Sequence, residues 1–82
     1  MGYRIDVASV GGKTRISIAG ELLAEGVGEL KKAGGAIGGC LELDLPDLTF
    51  ADADGVEALR RLIDDGAIVI GASPFIKKLL MI

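Results

Sequence analysis

Three aspartates, Asp47, Asp52 and Asp54, crowd one short stretch of a chain that has no histidine and a single cysteine, Cys40. Nucleophile pairs of the Ser–His or Cys–His kind are therefore excluded, as are zinc sites built on histidine and cysteine clusters. Oxygen ligands alone suit magnesium, in the manner of an aspartyl-phosphate signalling site. No lysine lies near the stretch, however, and 82 residues are few for such a receiver domain. A plainer chemistry is capping, in which Asp52 or Asp54 accepts hydrogen bonds from the first free amides of a helix and sits at the positive end of its dipole. A third is a protein-docking surface whose charge these acids set. Phosphate binding is disfavoured, because carboxylates already occupy the helix end.

The elements that must hold these residues can be read from periodicity. Residues 3–10 and 13–19 alternate apolar with polar side chains, and Gly11-Gly12 between them supplies the positive φ angles of a tight hairpin turn. Gly20 is expected to end the second strand. From Glu21 to about Lys32 the period becomes helical, with Leu22, Leu23, Val27 and Leu30 in a stripe, although Gly26 and Gly28 weaken the helix by about 1 kcal/mol each. Residues 40–45 alternate again, with Leu41, Leu43 and Leu45 inward, and Pro46 closes that strand. A loop from Asp47 to about Ala53 follows.

Residues 54–65 then carry a second helix, with Val56, Leu59, Leu62 and Ile63 apolar, Asp54 and Glu57 in capping-box spacing, and Gly66 beyond the end. Ala67 to Ile70 reads as a buried strand. Ser73-Pro74 opens a last helix through Leu80. The order β-β-α-β-α-β-α over a single domain, residues 1–82, predicts an α/β two-layer sandwich: a mixed four-stranded sheet with helices packed on one face.

Composition is consistent with that plan. Half the chain is apolar and the net charge is only −3, which excludes disorder. The 13 glycines show no period of three, which excludes a collagen-like repeat. With two phenylalanines, one tyrosine and no tryptophan, the core must be built from Leu, Ile and Val. Eight of the 12 acids lie in residues 42–65 against only Arg60 and Arg61, and no basic patch is large enough for a nucleic-acid partner. No apolar run reaches the ~20 residues of a membrane span, and the first residues lack a signal peptide's apolar stretch, so a protein that is not membrane-embedded is expected. The lone cysteine in an apolar setting fits a reducing compartment, so a cytoplasmic protein is expected. Phe75, Ile76, Leu79 and Leu80 are expected to pack on the sheet, with Met81 and Ile82 as candidates for a homodimer contact. Cys40 reads as an inert thiol in a core strand.

The stretch L-E-L-D-L-P-D-L-T-F-A-D-A-D-G-V-E-A-L-R-R-L, Leu41 to Leu62, resembles the core of STAS domains, the family of anti-sigma factor antagonists. Members of that family show a hydrophobic strand ending in D-L, then D-S-S-G or D-S-A-G opening a helix. Ile18 to Leu22, I-A-G-E-L, and Val69 to Leu80, V-I-G-A-S-P-F-I-K-K-L-L, are similar to the family's G-E-L segment and to its final strand and helix. The resemblance implies a non-enzymatic bacterial partner-switching adaptor without cofactor, whose partner is an anti-sigma factor or related serine kinase. An alternative is the small STAS subunit that docks on the ATPase of a lipid-trafficking ABC transporter.

In such adaptors a kinase phosphorylates the hydroxyl residue after the motif's first Asp. Asp52 matches that Asp, Ala53 the phosphoacceptor, Asp54 the second hydroxyl position and Gly55 the glycine. Ala53 has no hydroxyl, so the switch is absent at its usual place. Either Asp54 supplies a fixed, partial mimic of phosphate charge, or switching is lost and docking retained, which is the simpler reading. Thr49 is the nearest remaining hydroxyl, and Ser73 is another. The surface implied for partner binding comprises Asp47, Thr49, Asp52, Ala53, Asp54, Gly55, Glu57, Arg60 and Arg61.

Overall fold

A computed structural model describes residues 2–35 and 41–82. Cys40 and the Gly38-Gly39 lead into the third strand lie outside the described residues. Strands β1 (Tyr3–Val10) and β2 (Lys13–Leu22) form an antiparallel hairpin in register from Tyr3↔Gly20 to Val10↔Lys13. Gly11 and Gly12 both adopt positive φ, +58° and +81°, the requirement of the two-residue turn whose twist matches that of the flanking strands. β2 does not stop at Gly20. The chain bulges there, shifts register between Gly20 and Glu21, and runs on to Leu22. Helix α1 consequently starts at Ala24 and ends at Gly35, and Leu22 belongs to the sheet core, not to the helix stripe.

β3 (Leu41–Asp44) pairs in parallel with the first half of β2. The stretch expected to be a loop contains a further strand, β4 (Leu48–Ala51), parallel to the second half of β2. Pro46 has no N–H to give and does interrupt the ladder. Even so, the Asp47 carbonyl accepts the Gly20 amide at 3.0 Å, and the chain rejoins the same edge of β2. Among the described residues the sheet therefore has five strands instead of four, ordered β1-β2-β3-β5 with β4 beside β2. After helix α2 (Ala53–Asp64), β5 (Ile68–Ile70) pairs parallel to β3, and helix α3 (Pro74–Leu80) closes the chain. Because β5 is an edge strand it is only half-buried, and Ile68, expected inside, is exposed.

The two faces of the sheet differ. One presents Ile16, Ile18, Leu22, Leu43 and Leu48, which pack with Leu30, Leu59, Ile76 and Leu80 of the three helices into a core without aromatic residues. Among the described residues the other is uncovered and polar. There Arg15 pairs with Glu42 at 3.2 Å, and Ser17 donates to Asp44 at 3.2 Å, each between residues in direct cross-strand register. The mixed two-layer α/β plan expected from the sequence is thus observed.

Candidate functional site

The N-terminus of α2 is built by Asp52. Its backbone is extended (φ −79°, ψ −177°), and its Oδ1 accepts the Gly55 amide at 2.8 Å, which makes it the N-cap. The capping-box assignment to Asp54 and Glu57 is corrected: Asp54 lies inside the first turn, exposed, and Glu57 instead pairs with Arg61 at 2.9 Å, one turn on. Asp52 does a second thing that the sequence did not reveal. Its Oδ2 accepts the amide of Ala24, the first residue of α1, at 3.0 Å. One carboxylate therefore caps two helices whose positive ends converge on it.

Gly55 is buried because α2 crosses the end of β2 at close range. A Cβ at this position would collide with the carbonyl oxygen of Leu22. The Leu22 carbonyl also accepts the Asp52 amide at 3.1 Å, so the approach is fixed from both sides. The motif's aspartate and glycine thus act as one joint between β2, α1 and α2. Ala53, between them, is exposed at the first helical position.

From this joint an open groove of about 760 Å³ runs along α2. Ala53, Glu57, Arg60 and Arg61 line it together with Phe50, Val56 and Leu79. Phe50, 38% exposed, stacks on Phe75 with ring centroids 6.4 Å apart. Phe75, expected against the sheet, is 51% exposed; Ile76 and Leu80 take the inward positions of α3. Arg60 reaches across to the Met81 sulfur at 3.1 Å, and Met81 is 74% exposed. An apolar surface results, bordered by Arg60 and Arg61 together with Asp52, Glu57 and Asp64, and its aromatic and arginine content suits protein contact. Phe50 and Phe75 lie outside the partner-binding surface read from the sequence. The only signal was indirect: two of three aromatics fall beside the motif and at the start of α3.

The remaining candidates are divided. Asp54 lines a smaller hollow between α1 and α2, together with Lys31 and Arg61. Thr49 is on β4, and its hydroxyl donates to the Gly20 carbonyl at 2.9 Å. Asp47 lies in the turn before β4 and borders the open sheet face near Arg4 and Asp44. Among the described residues, no three acidic or sulfur side chains converge as metal ligands do. No described helix is long and apolar enough to cross a membrane.

No family model and no curated protein matches the sequence. Solved structures do match. One, described as the anti-sigma factor antagonist SpoIIAA in its unphosphorylated form, superposes with a TM-score of 0.74 at 20% sequence identity, over 95% of this chain and 82% of that one. The chain therefore has the fold of that antagonist.

Proposed function

We propose that the chain is a non-enzymatic, STAS-like interaction domain, an anti-sigma factor antagonist or related partner-switching regulator of transcription. Its partner is an anti-sigma factor or related serine kinase, docked along α2, and its place of action is the cytoplasm. The observation that carries this reading is the exposed Phe50–Phe75 pair, whose Phe50 lines the same groove as Ala53 at the start of α2, in a fold shared with an anti-sigma factor antagonist. Asp54 lines the hollow on the α1 side and not this groove, which favours retained docking over a fixed phosphate mimic.

The test is binding of the purified chain to candidate partners, measured by calorimetry with and without ATP. Binding to an anti-sigma factor that persists after incubation with kinase and ATP is the expected result. Phosphate incorporated at Thr49 or Ser73 would show that the switch has moved. Binding only to a transporter ATPase would replace the reading with the subunit role.

A further inference from the structure

β1 is an edge strand: among the described residues its ladder is with β2 alone. The two-residue turn makes Val10–Lys13 a doubly hydrogen-bonded pair, and such pairs alternate along an antiparallel ladder. Arg4, Asp6 and Ala8 therefore direct their backbone groups toward β2. The Gly2 carbonyl, in the same phase, accepts the Glu21 amide at 3.2 Å. The N–H and C=O groups of Tyr3, Ile5, Val7 and Ser9 point outward from the sheet. Natural edges are usually blunted by proline, charged side chains (lysine above all) or a bulge. β1 has no proline or lysine, its register with β2 runs unbroken over eight residues, and its two charges, Arg4 and Asp6, are of opposite sign and so repel a second copy only in some registers.

The side chains on this edge are self-complementary in one register. Antiparallel pairing with a second β1 about a two-fold axis must set outward-pointing residues opposite each other, so the axis passes through a residue. An axis at Arg4 opposes two arginines, and one at Asp6 opposes two carboxylates. An axis at Val7 opposes Asp6 to Ala8 and Ile5 to Ser9, with no opposite charges facing. An axis at Ile5 sets Arg4 against the other copy's Asp6 twice, by symmetry. It also sets Ile5 on Ile5 and lays Tyr3 over Val7, which is 53% exposed in the single chain. The Arg4–Asp6 pairs fall at the non-hydrogen-bonded positions, where facing side chains come closest. Both groups are exposed, and within one chain they already meet at 2.9 Å, so the dimer gathers four charges of alternating sign.

We infer that the chain associates with a second copy of itself through antiparallel β1–β1 pairing centred on Ile5, joining two sheets into one. This interface rests on no part of the functional reading above and leaves the α2 groove free. Sedimentation equilibrium over a wide concentration range tests it, with circular dichroism confirming the fold of each variant. A concentration-dependent dimer is expected. Arg4→Glu alone and Asp6→Arg alone should each raise its dissociation constant by about tenfold, since both facing pairs become like-charged. The double variant R4E/D6R should restore wild-type association. In a C40S background, R4C and D6C chains mixed in equal amounts should cross-link on oxidation, and neither should do so alone. A monomer at all concentrations overturns the inference. So does a dimer indifferent to the reversals, which would move the contact to a surface such as Met81 and Ile82.

Discussion

Asp52 and Ala24 are 28 residues apart in sequence, yet the carboxylate of one holds the first amide of α1 at 3.0 Å while also capping α2. The position that looks like half of a phosphorylation motif is therefore a mechanical joint. Asp52→Ala should destabilise the fold by about 2 kcal/mol, combining a lost cap with a second unpaired amide. Asp52→Asn, which keeps one acceptor oxygen, should lose roughly half of that. Urea denaturation monitored by circular dichroism measures both, and hydrogen exchange should locate the asparagine variant's added opening at one helix start, not at both.

Two glycines in helices should respond in opposite directions to the same substitution. Gly55→Ala places a methyl group against the Leu22 carbonyl, and the resulting shift should cost about 1–3 kcal/mol despite alanine's better helix propensity. Gly28→Ala meets nothing within 4 Å and should stabilise by up to about 1 kcal/mol. Thermal denaturation of the pair separates close packing from propensity.

Ala53→Ser restores a hydroxyl at an exposed first helical position, so stability should change by no more than about 0.5 kcal/mol. With the cognate serine kinase and ATP, the variant should take up phosphate at residue 53 and release its partner, whereas the wild-type chain stays bound. Mass spectrometry together with a binding assay reads the two effects. Phosphate uptake without release would separate the groove from the motif.

Phe50→Ala and Phe75→Ala remove rings that are partly solvated in the free chain. Each should weaken partner binding by about tenfold, the loss expected for a contact-surface aromatic. Because the rings touch, the double variant should lose less than the sum of the two. Titration calorimetry with the partner gives the cycle.

Local signals in the sequence were sufficient wherever the structure is local. The Gly11-Gly12 turn, the Ser73-Pro74 helix start and the Gly66 stop all follow from backbone preferences of adjacent residues. Gly66 completes a Schellman end, its amide on Ile63 and that of Ala67 on Leu62. The failures are non-local. Pro46 reads as the end of a strand, and nothing nearby indicates that Leu48–Ala51 will pair with Gly20–Leu22. Capping-box spacing points to Asp54 with Glu57, whereas the cap is Asp52, and the Ala24 amide that accompanies it comes from another helix. Hydrophobicity alone places Phe75 inward, whereas the fold gives it Phe50 as a surface neighbour.

β2 is ten residues long and serves β1 on one side and both β3 and β4 on the other. Its hairpin with β1 closes over two residues, while its contacts with β3 span 27. Closing the shorter loop loses less chain entropy, which favours early formation of the hairpin as a template for the parallel strands. A nascent chain emerging N-terminus first would present that template with its parallel side bare until residues 41–51 had been made. In that interval α1, Ala24–Gly35, is already made, and in the finished fold it lies against both strands of the hairpin.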